Sequence, residues 1–553
     1  MFRLLLSYFF LLVFSFNLQA RQSAAIASAH PLATKAGEEI LKAGGNAFDA
    51  AVAVTAALAV VEPYSSGIGG GGFWLLHDAK SNKNIMLDGR EKAPLAARRD
   101  MYLDQQGNVI KGLSVDGALA AGIPGVPAAM VHLSKKYGHL SLAQTLAPAI
   151  KLAKKGFAVE SHYQNMARFR LKALRASPAA AAIFLHNNNV PEAGYKIVQK
   201  DLASTLEKIV QQGAAGFYQG EVAKKLVAAS QQAGGIWSLK DLQEYRIIER
   251  QPLVGHYKNM RIISVAPPSS GGIALIEIFN QLENYSLQKL SKAQQVHIVV
   301  EAMRRAYRDR AEFLGDSDFV DVPVKRLTNP MYGAGLQVTI HPSKATPSAL
   351  LPGVMKEYPG TDTTHFSIID HEGNRVAATL SVNYPFGACL VASGTGVLFN
   401  DEMDDFSAKP GVPNVYGLVG AEANSIAPGK RMLSSMSPTF LQTENRLAVI
   451  GTPGGSRIIT MVLLGALAFQ QGADADTIVS LPRYHHQYLP DTIFYESAAL
   501  DKKQVQSLRN MGHQLKEKKS TWGNMQLVIQ NLRSGKVTAA SDPRGLGQGI
   551  VIH

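Results

Sequence analysis

The stretch that most limits what this chain can become is TDTTHFSIID, residues 361–370. Hydroxyl residues crowd its start, and then Phe366 and Ile368 alternate with Ser367 and Ile369, the period of a strand. DHEGN turns the chain into RVAATLSVN, a second alternating strand. A spacing of two puts Thr379, Ser381 and Asn383 on one face, and Val376, Ala378, Leu380 and Val382 on the other. The approach, His341 to Gly360, carries Pro342, Pro347, Pro352 and Pro359 with little periodicity and reads as an accessible loop. An accessible loop running into Thr363 is what a self-cleaving precursor needs. A threonine hydroxyl attacks poorly because it keeps its proton. Cutting the bond before Thr363 puts an α-amine of pKa about 7.7 to 8.0 on the same residue, where it can act as base. From these ten residues alone an ordinary threonine-rich strand entry is the plainer reading; the motifs C-terminal to Thr363 tip the balance towards the nucleophile.

At the other end, residues 1–20 read as a secretory signal peptide: Arg3, an apolar run from Leu4 to Phe14, and small Ala20 before Arg21. The run is shorter than the ~20 residues a spanning helix needs, and no cysteine comes after it to carry a lipid. This predicts an exported protein, periplasmic or secreted, with no stable membrane anchor. Cys389 is the only cysteine in 553 residues, so no intramolecular disulfide forms and the core must hold the fold. The net charge of +13 is scattered rather than clustered with aromatics, which argues against nucleic acid and suits a small anionic substrate.

Between these ends, Ala33 to Val61 predicts two helices split by Gly44, Gly45 and Asn46, the second buried. GIGGGGF has dinucleotide-loop spacing at Gly67, Gly69 and Gly72. It comes after a helix and precedes a strand, the reverse of what such a loop needs, so close backbone packing explains it better. IMLDGREKAP ends a strand with Arg90 at its exit, a surface charge or a fork for a carboxylate. From Leu142 to Arg310 the pattern is mainly helical, clearest over Ser291 to Leu314, and PPSSGG at residues 267–272 reads as a structural turn. DEMDD supplies Glu402 and Asp405, without the spacing of a calcium loop, and recognition of an ammonium group is at least as good a reading. Ser434 and Ser435 stand together, and Gly454 and Gly455 precede an apolar helix whose N–H groups are a candidate oxyanion hole. His485 and His486 lack metal-motif company and read as structural, and His365 need not be catalytic. Nothing here calls for a metal or cofactor.

TTHFS, NDEMDDFSAKPGVPNVYGLVG, RMLSSMSP, TPGGSR and PRYHHQYLPD together resemble the γ-glutamyltransferase (glutathione hydrolase) family, especially its bacterial members, over nearly the whole chain after the leader. The resemblance implies an α+β N-terminal nucleophile hydrolase fold, a four-layer αββα sandwich. It implies self-cleavage between Asp362 and Thr363 into a large subunit, 21–362, and a small subunit, 363–553. By the same resemblance Thr363 is the nucleophile and Thr364 supports its amine, while Gly454 and Gly455 hold the oxyanion. Arg90, Ser434 and Ser435 bind a glutamyl α-carboxylate, and Asn383, Glu402 and Asp405 its α-amine. Ser381 stands where many relatives have a second threonine, and Tyr416 covers the site from a lid. The implied substrates are glutathione and other γ-glutamyl compounds, with water, amino acids or dipeptides as acceptors. An acylase of similar fold, which need not read an α-amine or α-carboxylate, and an uncut binding protein are the rival expectations.

Overall fold

The computed structural model describes residues 23–351 and 363–553. The leader and the last eleven residues before Thr363 lie outside them. Thirteen strands, numbered here in chain order, build two antiparallel sheets. They are β1 (Ala24–Ser28), β2 (Gly71–Asp78), β3 (Lys83–Gly89), β4 (Ile248–Arg250), β5 (Leu253–Tyr257), β6 (Met260–Ser264), β7 (Thr364–Ile369), β8 (Arg375–Ser381), β9 (Thr439–Gln442), β10 (Arg446–Gly451), β11 (Gln526–Asn531), β12 (Val537–Ser541) and β13 (Gln548–Ile552). The first sheet runs β13-β1-β7-β8-β2-β3-β4 and the second β12-β11-β10-β9-β6-β5. Each sheet takes strands from both sides of position 363.

Strand alternation sorts side chains between layers. Phe366, Ile368, Val376 and Ala378 face outward onto α1 (Pro31–Lys42) and α2 (Ala47–Val61). Their neighbours Ile369 and Ala377 face inward, with Ala25 and Leu75, against Ile263, Phe440, Val449 and Val528 of the second sheet. That sheet's other face, Leu441, Ala448 and Ile450, packs on α3 (Gly271–Leu282), α4 (Lys292–Phe313) and α5 (Ile458–Gln470). The result is the expected αββα sandwich. Because both faces of the first sheet are covered, the hairpin's polar face meets a second sheet rather than water.

Small residues let these layers approach. Every residue of the alanine-rich α2 is buried, and Asn46 and Asp49 close its start as a capping box. A Cβ on Gly69 would lie 1.9 Å from the Leu398 carbonyl oxygen, and one on Gly70 2.1 Å from that of Ser381. The glycine run is thus a close backbone approach behind β8. The helix predicted over Ser291 to Leu314 is α4, with Ser291 as its N-cap. PPSSGG separates a strand, β6, from the helix α3, as expected, while the mainly helical reading up to Arg310 missed β4 and β5, which are short and partly exposed and so carry weak alternation. Among the described residues no helix is long and apolar enough to cross a membrane.

Candidate active site

Thr363 sits at the head of β7, in the middle of the first sheet, and is buried. One cavity is bounded by Thr363, Ser381, Asn383, Glu402, Asp405, Tyr416, Ser434, Ser435 and Gly455. These residues come from five separated stretches, yet the fold brings them together as the motifs implied. Arg90 lies one bond deeper, Gly454 borders a neighbouring cavity that Thr363 also lines, and Thr364 points elsewhere. Its hydroxyl donates to Glu62 Oε2 at 2.7 Å, at the C-terminal cap of α2. Burial pushes the Glu62 carboxyl up to about 7, opposed by that hydrogen bond.

Ser381 ends β8, and its Oγ accepts the Asn383 N–H at 2.7 Å. Asn383 lies beyond the strand at φ +75°, so the period-two face predicted for it holds only to Ser381. Its Nδ2 donates to the Asp401 carbonyl at 3.0 Å. The local turn, not the pleat, aims this side chain.

The charges are unevenly matched. Arg90 donates to Glu402 Oε2 and to Asp405 Oδ2, and lies 3.4 Å from Glu91 Oε2. It therefore joins the acids assigned to the α-amine, while Ser434 and Ser435 stand on other bonds. Three carboxylates share one guanidinium, and Glu402 Oε1 and Glu91 Oε1 are buried without a hydrogen-bond partner among the described residues. Burial raises Glu402 to about 7, with Arg90 opposing and Asp405 adding to the rise. Burial likewise raises Glu91 well above the carboxylate range and raises Asp405. Burial works against the charge on Arg90, but the carboxylates outweigh it and hold the guanidinium protonated.

The serine pair rests on residues that motif reading missed. Ser270 donates its hydroxyl to the Ser434 carbonyl at 2.7 Å, and Ser269 donates to that of Met436 at 2.6 Å, so PPSSGG braces the site. Arg310 of α4 donates to Ser270 Oγ at 3.0 Å and to Ser435 Oγ at 3.2 Å. Accepting from an obligatory donor leaves the Ser435 hydroxyl hydrogen to point elsewhere. An arginine on the apolar stripe of a predicted helix was the available signal.

Gly454 and Gly455 take φ +141° and +56° ahead of α5, conformations that side-chain-bearing residues rarely adopt. The Tyr416 ring lies against Gly455, where an added Cβ would meet Cδ1 at 2.5 Å. Its hydroxyl donates to the Asn383 carbonyl at 2.5 Å. Asn414 Nδ2 donates to Asp405 Oδ1 at 3.0 Å, and Gln487 Nε2 to the Gly417 carbonyl at 3.0 Å, fastening the segment down. The cavity beneath is only about 20 Å³, room for about one water.

The histidines are structural. Burial lowers His365 and His485 to about 3 and His486 to about 4, so all are neutral. His365 bonds Thr379 at 2.8 Å, and His485 bonds Thr460 and Gln487, each at 2.8 Å. His297, Glu301 and His513 lie close enough to hold a cation, but both Glu301 oxygens already receive Arg304 or Arg305, which opposes a second positive charge there.

A buried threonine heading a central strand of an αββα sandwich is the arrangement of an N-terminal nucleophile hydrolase. The family model described as Gamma-glutamyltranspeptidase matches residues 33–552. The chain is 46% identical over 492 residues to a glutathione hydrolase proenzyme of Pseudomonas sp. (strain A14), covering 88% of this chain and 85% of that one. It is 40% identical to the glutathione hydrolase proenzyme of Escherichia coli (strain K12), covering 94% and 90%. The crystal structure of Helicobacter pylori gamma-glutamyltranspeptidase matches at TM-score 0.58 and 45% identity, covering 59% of this chain and 94% of that one. That of a cephalosporin acylase from Bacillus halodurans matches at TM-score 0.83 and 25% identity, covering 96% of both. The chain belongs to the gamma-glutamyltranspeptidase family.

Proposed function

We propose that the protein cleaves itself before Thr363 and then hydrolyses or transfers the γ-glutamyl group of glutathione and related compounds. The products of cleavage are a large subunit, 21–362, and a small subunit, 363–553, which stay together because each sheet uses strands of both. The freed α-amine of Thr363 takes the proton from Oγ1, which attacks the γ-carbonyl. The Gly454 and Gly455 N–H groups hold the oxyanion. The amine leaves with the proton, and water or the amine of an amino acid or dipeptide resolves the ester. Glutathione hydrolase is the name its relatives carry, and the exported leader suits a periplasmic or secreted enzyme.

The observation that carries this reading over the acylase is the buried Glu402 carboxyl in a cavity wall next to Thr363, whose Oε1 has no well-formed hydrogen bond among the described residues and has Ser381 as its neighbouring donor. An acid-rich cluster with one unmet acceptor suits an ammonium group, which a glutaryl side chain lacks. A substrate carboxylate would meet Ser434 and Ser435 on the other side, and would draw on Arg90 only if its guanidinium turned from Glu402 and Asp405. Because the closed cavity holds about one water, Tyr416 must lift for a glutamyl group to enter. The test is N-terminal sequencing of the purified protein, then turnover of a γ-glutamyl and a glutaryl anilide. A small fragment beginning Thr-Thr-His-Phe and a strong preference for the glutamyl compound support the reading; equal rates on both overturn it.

A further inference from the structure

Just past Asn383 the chain reaches Tyr384, which lines a cavity of about 560 Å³ that shares no lining residue with the one beside Thr363. Its volume is within the range of small-ligand sites. Ala173, Ala176, Ala388 and Leu390 make much of its wall, with Phe169 60% exposed at the rim. Arg170, between the helices Ser161–Phe169 and Leu171–Ala176, is set into that wall at 5% exposure. Its Nε donates to Cys389 Sγ at 3.3 Å, and its Nη2 to the Gly387 carbonyl at 2.9 Å and to Asp116 Oδ1 at 2.7 Å. Nη1 donates no hydrogen bond among the described residues. The Tyr384 ring covers one face of the guanidinium at 4.9 Å. The charges around Arg170 meet it only in part. Burial pushes the Cys389 thiol up to about 11 and raises Asp401 well above the carboxylate range, so both resist ionising. Asp116 is 58% exposed, and Lys172 adds a second positive charge to the wall. A buried planar cation, held through Nε, Nη2 and one face and with the N–H groups of Nη1 unused, is suited to a carboxylate.

We propose that this cavity is an effector site for small organic carboxylates with a flat apolar body, with Arg170 Nη1 donating to the carboxylate. The body lies among Phe169, Tyr384 and Leu390. Phe169 meets the Tyr384 ring edge-on at 5.5 Å, and Tyr384 meets that of Tyr416 edge-on at 6.4 Å. Tyr416 must lift for a glutamyl group to enter, so an occupant that holds Tyr384 in place favours the closed site. Fewer molecules are then open to substrate, which raises KM and leaves kcat nearly unchanged. The effect on KM rests on the γ-glutamyl reading and goes beyond it; the binding stands apart from that reading.

The probe is fluorophenylacetate, titrated into matured enzyme and followed by fluorine NMR, with fluorophenylacetamide as its uncharged match. Wild type is expected to bind the acid about 10- to 150-fold more tightly than the amide, the range of a charge-assisted contact. Rising acid should lift KM for a γ-glutamyl anilide to a plateau. Arg170→Gln brings the two affinities together. Ala176→Trp fills the cavity from an exposed wall position and leaves Arg170 in place; it should abolish both the binding and the effect on KM. Equal affinity for acid and amide in wild type, or acid binding unchanged in Ala176→Trp, overturns the site. If Arg170→Gln fails to mature, the wild-type comparison and Ala176→Trp decide. Binding with no change in KM overturns the link to Tyr416, and a KM that climbs without limit, equally in Ala176→Trp, means competition for the headgroup cavity and overturns the proposal. Wild type that turns over no γ-glutamyl anilide without the acid fails the γ-glutamyl reading alone, since binding is read without turnover.

Discussion

Two buried charge clusters flank this fold, and they are built to different ends. One clamps residues 339–351, the chain leading towards Thr363. Arg304 donates to Glu301, Ser348 and Asp491, and Arg305 donates to Glu301 and Thr339. Thr346 and Ser348 offer backbone N–H groups to Glu301 and Asp491. Two acids face two guanidiniums, and every carboxylate oxygen is used; at its edge His513 Nδ1 is buried without a hydrogen-bond partner among the described residues. The other cluster sets Glu91, Glu402 and Asp405 against Arg90 and leaves two carboxylate oxygens without a hydrogen bond among the described residues. A balanced network holds backbone in place. An unbalanced one needs a proton or a ligand in the gap; burial, with the acids repelling one another, raises its carboxyls, and it sits beside Thr363.

Removing the nucleophile should have the largest effect and leave both clusters untouched. Thr363→Ala is expected to stay as a single chain on a denaturing gel, without turnover; a cleaved product would mean that another residue attacks. Next comes the clamp. Arg304→Met leaves Glu301 to Arg305 and the Thr346 N–H, and Asp491 to His486 and the Ser348 N–H, and should cost about 1.5 to 3 kcal/mol of stability by denaturant unfolding, the range of lost hydrogen bonds to charged groups. A loss below about 1 kcal/mol would show that the clamp is not the structural member of the pair of clusters. In the ligand cluster, Arg90→Ala should lower kcat/KM for a γ-glutamyl substrate by about 10- to 150-fold, mostly through KM, because the substrate carboxylate is charged in ground and transition states alike. An equal loss on a glutaryl substrate, in fully cleaved protein, would make Arg90 structural too.

The clusters should also answer pH with opposite signs. Glu402, raised by burial to about 7, keeps a proton that the unfolded chain releases, so it adds stability as pH falls from about 7 to 4.5. His486 and His513, lowered by burial to about 4 and 3, stay unprotonated while the unfolded chain takes up protons. Their part of the stability is present above pH 6.5 and is lost as pH falls through 6.5 to 4. His513→Asn should therefore lessen acid destabilisation and Glu402→Gln worsen it, read from Tm across pH 4.5 to 7. Binding depends on the same carboxyl, which Arg90, Asp405, Glu91, Asp401 and Ser381 surround. KM for a γ-glutamyl substrate should rise below pH 7 in wild type and stay flatter in Glu402→Gln. The smallest effect expected is that of Tyr416→Phe, which loses one hydrogen bond worth about 0.5 to 1.5 kcal/mol and should change KM only a few-fold.

Much of this was legible without coordinates. Alternation alone outlined β7 and β8, helical spacing outlined α4, and the wrong order of elements around the glycine run excluded a nucleotide loop. Each of these is local: a strand or helix period needs only a few neighbouring residues to declare itself. Thr363, the glycine pair and the acidic cluster drew attention by their chemistry, but the roles of the headgroup residues and of Tyr416 came from the resemblance of their motifs to a known family. What they touch is another matter. Arg90 and Glu402 are 312 residues apart, and no period relates them. Their meeting, the brace of Ser270 and Arg310 behind Ser434 and Ser435, the turn of Thr364 towards Glu62 and the stacking of Arg170 on Tyr384 were all decided by which strands pair and which helices pack. Whether a buried charge ends up paired depends on the whole set of neighbours that the sandwich delivers to it, so only the tertiary structure separates the cluster that holds the chain from the one left open for a ligand.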